Sequence, residues 1–377
     1  MRLFRILPAA LTAATLVAGC AHREVHPRDP EVGFETGHAV GEVREMPGTV
    51  RSRRGVALEG QMIVTVAAPD SATAQRALDA AVTVADSLDR LLGRHYSGSE
   101  VYAINAAAGR EAVRVSPWTE AIVAAALHWA ERTGGAFDPT IGPVVELWGF
   151  GPRETTEFPD ERRLAEAMAL VGWRKVRHDP AAHTVFLTEP GMTLDLRAAS
   201  KGFALDRMRE AVLGGGATSA VLELGGDHMF VGPGPERHEG RWPVELPDPY
   251  DPGRAFAAFE VSAGAISTTT PYARTVEIAG RRVGHLIDPR TGRPVTTMAS
   301  ATVFAPEALV SDILSTALFV IGASQGCDLM DDWDEVGAVL VVEPSPGQQA
   351  RVCVTPGLRG QLGQLQAPFR PLQTEDL

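Results

Sequence analysis

The sequence predicts a mixed α/β (α+β) fold with two packed lobes. Apolar residues recur at helical spacing in some stretches and alternate with polar residues in others, so both helices and strands are expected. The two kinds of stretch do not alternate strictly along the chain, which disfavours a regular doubly wound sheet. The chain has 377 residues, of which 45% are hydrophobic. This is enough for one large core or two modest ones.

The N-terminal part of the predicted fold combines one strand with two helices. A strand is expected over Gln61–Ala68, followed by a helix over Ser71–Gly93 whose first residue serves as the cap. A second helix is expected over Trp118–Thr133, and Gly134-Gly135 would end it. Asp138-Pro139 is typical of a further helix start, with aspartate as the cap and proline in the first turn.

The middle of the chain predicts a third helix, three short strands and a fourth helix. In chain order the ranges are Asp160–Val171, Arg174–His178, Thr184–Leu187, Met192–Leu196 and Ala199–Leu213. An apolar strand at Ala220–Leu224 then stops at Gly225-Gly226-Asp227, which predicts a turn. Strands and turns dominate from Arg241 to Val276, and a strand at Ala301–Phe304 precedes a helix over Ala308–Ile321.

The first 19 residues have the pattern of an export signal. Two arginines precede the apolar stretch Ile6–Val17, which is too short to span a membrane. Small residues stand directly before Cys20, so we expect a lipoprotein signal peptide over residues 1–19 and lipidation of Cys20. A plain secretory signal is the alternative. The expected location is therefore that of an exported bacterial lipoprotein, anchored in the membrane and facing the periplasm.

The rest of the chain is acidic. The predicted divisions are a tether over 20–50, a folded domain over 51–357 and a C-terminal tail over 358–377, which wraps the surface or is mobile. Without residues 1–19 the chain has 33 basic and 47 acidic residues, a net charge of −14. Nucleic acid is not an expected partner, because binding it requires a basic surface that neutralises phosphates.

Two cysteines remain after Cys20, at Cys327 and Cys353. They form no CxxC pair and no His/Cys cluster, which disfavours zinc and iron–sulfur sites. We interpret them as core thiols. Pairing in an oxidising compartment stays open, because the sequence does not show whether the two side chains meet.

One face of the predicted helix Ala308–Ile321 carries three oxygen side chains. Asp312 and Thr316 are four residues apart and Ser315 is three from Asp312, so all three project from the same side. Magnesium prefers oxygen ligands of this kind. An acidic residue is also favourable at a plain helix start, and the pattern taken alone favours that interpretation.

The segment GHLIDPRTGRPV, residues 284–295, combines a strand end with a tight turn. His285 is of the residue type that most often transfers protons in enzymes. Arg290 and Arg293 could hold phosphate oxygens. A lone histidine beside a hairpin is also commonly structural, so this segment alone is ambiguous.

Two further segments could receive a nucleotide. Residues 133–143, TGGAFDPTIGP, offer backbone N–H groups together with an aromatic ring and a carboxylate. Residues 194–206 form a strand-to-helix junction from which Lys201 could reach a phosphate, although a solvated lysine is the default there. The sequence contains no Walker-type loop, no GxSxG and no HExxH, which disfavours the common hydrolase and nucleotide-kinase classes.

In this order and spacing, the segments resemble the ApbE family, the FAD:protein FMN transferases. The match covers Val56 to Val342 and is carried by TGGAFDPTIGPVVELWGFGP, LDLRAASKGFALD, VLELGGD, GHLIDPRTGRPV and SDILSTALFVIG. The resemblance implies a two-lobed fold with FAD between the lobes, with Mg²⁺ on its diphosphate. It also implies cleavage of FAD, attachment of FMN by a phosphoester to a Thr or Ser of an acceptor protein, and release of AMP.

The resemblance also implies a set of site residues. His285 would be the catalytic histidine. The metal ligands would be Asp312, Thr316 and the carbonyl of Ala198, with Ser315 between the two side-chain ligands. The contacts to FAD would be Ala136, Phe137, Asp138, Asp195 and Lys201, with Leu286 and Ile287 lining the flavin pocket and His95 standing where the family has an aromatic residue.

The sequence departs from the family pattern around the pocket. Leu58-Glu59-Gly60 stands where the family has Met-Gly-Thr, and Ser267–Thr270 stands where it has Ser-Thr-Ser-Gly. Arg197 and Ala198 replace small residues. Two alternatives therefore stay open: a metal-dependent FAD pyrophosphatase that produces FMN and AMP, and a lipid-anchored FAD-binding protein without catalysis.

Overall fold

The structure is a computed structural model that describes residues 46–153, 155–330 and 335–372. The predictions for residues 1–19, for Cys20 and for most of the tether over 20–50 lie outside these ranges. Within them, no helix is both long enough and apolar enough to cross a membrane.

Helices and strands are interspersed along the described ranges. The helices are α1 Ser71–Leu92, α2 Glu100–Ala106, α3 Pro117–Arg132, α4 Gly142–Leu147, α5 Glu161–Met168, α6 Arg197–Gly214, α7 Ala308–Ile321, α8 Ala323–Leu329 and α9 Pro356–Arg359. The strands are β1 Thr49–Ala57, β2 Gly60–Ala68, β3 Val113–Arg114, β4 Val176–Asp179, β5 Thr184–Leu187, β6 Ser219–Leu224, β7 Asp227–Val231, β8 Trp242–Asp248, β9 Asp251–Val261, β10 Gly264–Thr269, β11 Thr275–Ile278, β12 Arg281–Gly284, β13 Ile287–Asp288, β14 Arg293–Pro294, β15 Met298–Ala305, β16 Gly337–Val342, β17 Arg351–Val354 and β18 Arg370–Pro371.

A nine-stranded sheet in the order β1-β2-β6-β7-β10-β15-β16-β17-β18 forms the frame of the fold. Neighbouring strands pair antiparallel except β17 and β18, which are parallel. A three-stranded sheet β3-β5-β4 and the hairpins β8–β9, β11–β12 and β13–β14 are added to it. The predicted mixed α/β class is thus confirmed, while the two-lobed arrangement stays a prediction.

The central sheet buries both of its faces, because successive side chains of a strand point to opposite sides. In β6, Leu222 and Leu224 join the apolar cluster that α1, α6 and α7 also form. Val221, between them, joins a second cluster around the β8–β9 hairpin, in which Trp242 is fully buried. Helices therefore cover one face of the sheet, and the β8–β9 hairpin covers the other.

Helices α6 and α7 approach each other closely at Gly202. A Cβ atom at this position would lie 2.3 Å from the carbonyl oxygen of Ala308, so only glycine fits there. One turn further on, Asp206 accepts hydrogen bonds from the backbone N–H groups of Ala308 and Leu309, each at 2.9 Å. These N–H groups belong to the first turn of α7, which lacks partners within the helix. Asp206 thus fixes where α7 begins against α6.

Asp206→Ala is expected to lower the free energy of unfolding by about 2–3 kcal/mol, because a buried and a partly buried N–H group lose their acceptor. The matched control is Asp160→Ala, which removes the exposed cap of α5 and its single backbone hydrogen bond to Arg163. A loss of about 1 kcal/mol is expected for that control. Urea denaturation measures both values, and equal losses would contradict the role given to Asp206.

One predicted strand and one predicted helix start are wrong, because side chains form the backbone hydrogen bonds there. Met192–Leu196 is not a strand. Leu194 exchanges both of its backbone hydrogen bonds with the side-chain amide of Asn105, at 2.7 and 3.0 Å, rather than with a neighbouring strand. Asp138 does not begin a helix, since its carboxylate closes a turn by accepting from the N–H and hydroxyl of Thr140. Helix α4 begins only afterwards.

The cap of α1 also differs from the prediction. Asp70 is the cap, because its carboxylate accepts the N–H of Thr73 at 2.9 Å. Ser71, the predicted cap, is the first helical residue instead. This assignment shifts the helix start by one residue without changing its existence.

The interpretation of Cys327 and Cys353 as core thiols is wrong, because the two form a disulfide. The bond joins α8 to β17 across 26 positions of sequence. The predicted tail also packs on the fold as far as residue 372. Leu358 and Phe369 are buried in the cluster around the β8–β9 hairpin, and Arg370 begins the edge strand β18.

Candidate active site

Helix α6, helix α7 and the first residue of β7 bring three charged side chains together. The ammonium of Lys201 forms an ion pair with Asp227 and lies 3.4 Å from Oδ1 of Asp312. Burial opposes the charge on Lys201, but the two carboxylates outweigh it and raise the pKa of the lysine. Burial, opposed by Lys201 and reinforced by Asp312, raises the pKa of Asp227 to about 6.

Hydroxyl groups line the neighbouring face of α7 and the end of β10. Oγ1 of Thr269 lies 2.8 Å from Oγ of Ser315 and 3.4 Å from Oγ1 of Thr316. Ser315 also donates to the backbone carbonyl of Asp312 at 2.9 Å. The three residues that helical spacing placed on one face therefore do lie together, and Thr269 adds a further hydroxyl.

The start of α6 is kinked at Ala198, where φ is −86° and ψ is 17°. The ψ angle of a residue sets the direction of its own carbonyl, so this kink turns the Ala198 carbonyl out of the helical direction. The regular helical partner of that carbonyl would be the N–H of Gly202. That N–H donates to Oδ2 of Asp312 at 2.9 Å. One contact thus joins the kinked turn to the acidic side chain of α7.

These oxygen atoms suit a hard cation. Two carboxylates share one ammonium, so the cluster has an excess of negative charge when both are ionised. The donors predicted from the resemblance are the carboxylate of Asp312, the hydroxyl of Thr316 and the carbonyl of Ala198, all of the type that Mg²⁺ prefers. In the described ranges, no group of three or more His, Cys, Asp or Glu side chains could hold a metal by itself. A cation here would therefore need hydroxyl, carbonyl and ligand oxygens.

His285 stands between β12 and β13 with its ring oriented by the backbone of Arg274. Nδ1 of His285 lies 3.1 Å from the Arg274 carbonyl oxygen, which also accepts the backbone N–H of His285. A carbonyl can only accept, so Nδ1 carries the proton and Nε2 of the neutral ring keeps a lone pair. Burial, opposed by this hydrogen bond and reinforced by Arg197, lowers the pKa of His285 to about 4.

A buried ion-pair cluster adjoins His285. Nε and Nη2 of Arg197 bind Oδ1 and Oδ2 of Asp195 at 3.0 and 2.7 Å, and Nη1 of Arg94 binds Oδ2 at 2.5 Å. The second terminal nitrogen of the same guanidinium, Nη2 of Arg94, pairs with Glu146 of α4. Burial alone would raise the pKa of Asp195, but Arg197 and Arg94 hold it well below its usual range. Both carboxylate oxygens of Asp195 are therefore already in use.

The turn between β1 and β2 contributes a carboxylate to the same region. Leu58 and Glu59 have φ angles of 49° and 61°, a left-handed conformation that is costly for residues other than glycine. Oε2 of Glu59 lies 4.0 Å from Nη1 of Arg274. A Cβ atom on Gly60 would lie 2.8 Å from Cα of Gly225, so the turn touches the β6–β7 turn through backbone alone.

His95 lies between α1 and α2 and lines a cavity of about 220 Å³. Burial and the neighbouring Arg94 lower the pKa of His95. The other lining residues are Arg94, Tyr102, Asn105, Ala106, Glu146 and Thr193. The hydroxyl of Thr193 is buried without a hydrogen-bond partner in the described part of the chain. His95 is thus joined to the Arg94–Asp195 ion pair by one continuous surface.

Three residues of the segment 133–143, which was predicted to receive a nucleotide, are buried in the fold. Ala136 and Phe137 are buried in the largest apolar cluster. Both carboxylate oxygens of Asp138 accept hydrogen bonds within the protein. Oδ1 accepts from the N–H and the hydroxyl of Thr140, and Oδ2 accepts from the N–H of Trp173. Burial raises the pKa of Asp138 despite these bonds. Contact of these three residues with FAD stays a prediction, and their side chains face the protein.

The residues after His285 are also packed inward. Leu286 belongs to an apolar cluster with Met298, and Ile287 belongs to a cluster with Phe150. Their role in lining a flavin pocket stays a prediction. The predicted hairpin is present, but its two arginines are engaged within the protein. Arg290 binds Asp288 at 2.9 Å and Arg293 binds Glu161 at 2.5 Å.

Several charged residues of the site were not singled out by the sequence as site residues. They are Glu59, Arg94, Glu146, Asp227 and Arg274. Asp227 carried a usable signal, because it follows a buried strand and a Gly-Gly turn, which often brings backbone close to a ligand. The others are arginines and glutamates of ordinary sequence context, and only the fold brings them together.

Comparison with known proteins agrees with the resemblance. The ApbE family model matches residues 59–340. The FAD:protein FMN transferase of Treponema pallidum (strain Nichols) is 33% identical over 286 residues, covering 72% of this chain and 78% of that protein. A protein of the same name from Klebsiella pneumoniae (strain 342) is 31% identical over 255 residues, covering 67% and 78%.

The fold gives the same result. The crystal structure of the ApbE protein of Thermotoga maritima superposes with a TM-score of 0.75 at 28% identity, covering 83% of this chain and 99% of that chain. The family match spans most of the described fold and includes both the oxygen cluster around Lys201 and the turn carrying His285. The chain is a member of the ApbE family.

Proposed function

We propose that the chain is a Mg²⁺-dependent FAD:protein FMN transferase. It would cleave FAD, attach FMN by a phosphoester to a Thr or Ser of an acceptor protein, and release AMP. The observation that carries the proposal is the neutral ring of His285, whose Nε2 is available as a base beside the arginines and the oxygen cluster. The names of the similar proteins support the same activity.

The chemistry requires a base and a site that tolerates a diphosphate. Nε2 of His285 would take the proton of the acceptor hydroxyl as its oxygen attacks the phosphorus on the FMN side. The bond from that phosphorus to the bridging oxygen breaks, AMP leaves with this oxygen, and the proton passes from His285 to the leaving phosphate or to water. Bound Mg²⁺ would offset negative charge on the diphosphate. Asp312, Thr316 and the Ala198 carbonyl, with Ser315 beside them, would hold it.

We also propose that the chain is exported, lipidated at Cys20 and anchored with its site facing the periplasm. The disulfide between Cys327 and Cys353 supports this location, because such bonds persist in oxidising compartments. The acceptor protein would then be reached from the same side of the membrane.

The full chain, incubated with FAD, Mg²⁺ and a candidate acceptor protein, is expected to release one AMP for each flavin attached to the acceptor. The measurements are AMP by chromatography and the flavin adduct by mass spectrometry. The control is the same acceptor with its modified Thr or Ser replaced by alanine, which should carry no adduct.

Two other results would replace the proposal. AMP release without an adduct would identify a metal-dependent FAD pyrophosphatase, with water as the acceptor. Tight binding of FAD with neither product would identify a lipid-anchored flavin-binding protein without catalysis.

A further inference from the structure

Arg197 occupies a position that the family pattern gives to a small residue, and it changes what the site presents to a ligand. Asp195, the predicted contact to FAD, is 6% exposed. Its Oδ1 accepts from the backbone N–H and Nε of Arg197, and its Oδ2 accepts from Arg197 and Arg94. A carboxylate bonded in this way has little capacity left to accept from a ligand. The group that faces outward at this point is the guanidinium of Arg197.

The guanidinium of Arg197 keeps free hydrogen-bonding capacity. Its side chain is 30% exposed, and within the described ranges the hydrogen bonds of its guanidinium use Nε and Nη2, not Nη1. Asp195 accepts hydrogen bonds from Nε and Nη2 of Arg197, and these two bonds fix the plane of the guanidinium. A fixed guanidinium plane with a free N–H edge suits an anion with several oxygens, because little conformational entropy is lost when it binds.

Arg274 supplies a second guanidinium next to His285. Its backbone carbonyl orients His285, and its Nη2 donates to the carbonyl of Phe150 at 3.1 Å. The ring of Phe150 lies edge-on to His285 at 6.2 Å. Phe150 lies three residues after the end of α4, the helix whose Glu146 pairs with Arg94. Arg274 and His285 therefore contact the same segment, and Arg197 is near enough to both to lower their pKa values.

The guanidiniums of Arg197 and Arg274 are near enough to interact unfavourably. Burial lowers the pKa of Arg274 and the positive charge of Arg197 lowers it further, while Glu59 and Asp195 oppose both effects. The same two cations disfavour protonation of His285. Glu59 offsets part of the charge on Arg274, but at 4.0 Å and with both side chains about half exposed this pair is weak. Two guanidiniums that repel each other in a partly buried space are stabilised when an anion binds between them.

We propose that Arg197 and Arg274 together bind the diphosphate of FAD beside His285, with Asp195 acting as the residue that positions Arg197. The proposal rests on the proposed function for the identity of the ligand, and it assigns the contact to a residue that departs from the family pattern. The chemical class recognised is an organic diphosphate ester. The flavin ring system is not part of this recognition.

Binding of three ligands to the full chain tests the proposal without any turnover. FAD contains the ring system and the diphosphate, ADP contains the diphosphate without the flavin, and riboflavin contains the ring system alone. Arg197→Gln is expected to weaken binding of FAD and ADP by about tenfold to a hundredfold, the size typical of a lost charged hydrogen bond, and to leave riboflavin affinity within about twofold. Arg274→Gln should show the same selectivity. Isothermal titration and flavin fluorescence give the dissociation constants.

Matched variants separate charge from shape. Arg209→Gln removes a positive charge from the same helix α6, where the side chain reaches only the carbonyl of Pro306, and should bind all three ligands as the wild type does. Arg197→Lys keeps the charge but loses the planar fork, so an intermediate loss for ADP is expected. Thermal unfolding followed by circular dichroism checks that each variant is folded.

Two results would overturn the inference: unchanged ADP affinity in folded Arg197→Gln, or equal losses for ADP and riboflavin. Failure of the proposed transferase looks different. If the wild type binds FAD and ADP with the expected selectivity but produces neither AMP nor adduct, the transferase fails and the diphosphate site stands. If the wild type transfers FMN while Arg197→Gln binds ADP normally, the site fails and the transferase stands.

Discussion

Asp312→Asn is expected to reduce Mg²⁺-dependent AMP release from FAD by about a thousandfold or more. Asp312 is the only carboxylate among the predicted metal ligands, and stabilisation of the diphosphate charge by a metal is worth several kcal/mol in the transition state. Asparagine keeps a side-chain oxygen that can accept the N–H of Gly202, which in the wild type donates to Oδ2 of Asp312 at 2.9 Å. The contact between α6 and α7 therefore survives while the negative charge is lost. The measurement is kcat for AMP release over a Mg²⁺ titration.

Asp206→Asn is the matched control for this variant. Asp206 is also a buried aspartate at the α6–α7 contact, but it binds the first turn of α7 and does not face the oxygen cluster. We expect it to lower stability and to leave kcat within about twofold, because loss of a cap acts on folding rather than on the site. Similar rates for Asp312→Asn and the wild type at every Mg²⁺ concentration would contradict the proposed metal site.

His285→Gln is expected to slow FMN transfer by about a hundredfold to ten-thousandfold, the range that general-base catalysis contributes. His285 should stay neutral as the pH falls from neutrality and should lose its lone pair only near its pKa, which burial lowers to about 4. The base is the neutral ring, so activity is present above this pKa and lost below it. Protonation of Asp227, whose pKa burial raises to about 6, would give a separate step at higher pH. Single-turnover transfer rates across the pH range, with tryptophan fluorescence to confirm folding, give the profile.

The acid limb of this profile is also sensitive to the neighbouring cations. Arg197 lowers the pKa of His285, so Arg197→Gln should move the inflection of the acid limb to higher pH. If NMR titration of the His285 ring gave a pKa close to 6.5, the ordinary value for histidine, the ring would be protonated as easily as a free imidazole. That result would contradict the lowered pKa on which the role of His285 as a neutral base depends.

Elements governed by local periodicity were predictable from the sequence. Helix Ala308–Ile321 and strand Thr184–Leu187 have the predicted bounds, because their apolar spacing and flanking turns are contained in a short window. Met192–Leu196 was not predictable, since its backbone partner is an amide side chain 89 positions away. Asp138 has the composition of a cap, yet its carboxylate is used by a turn.

The same distinction separates the two halves of the candidate site. Asp312, Ser315 and Thr316 are brought together by helical spacing alone, so the sequence could group them. The ion pairs of Arg94 join residues 52 and 101 positions apart, and no local pattern predicts which carboxylates an arginine will meet. The disulfide between Cys327 and Cys353 was unpredictable for the same reason, because pairing depends on where the fold places the two thiols.

The backbone contact between Gly60 and Gly225 couples the β1–β2 turn, which carries Glu59, to the β6–β7 turn, which leads to Asp227. The N–H of Gly225 also donates to the carbonyl of Gln61 at 2.7 Å. Lys201 packs closely on the same turn, because a Cβ atom added to Gly225 would lie 3.0 Å from the Cδ atom of Lys201. No flexible side chain separates the two turns, so there is nothing between them to absorb a displacement. A shift of the turn that carries Glu59 would therefore be transmitted directly to the turn that precedes Asp227.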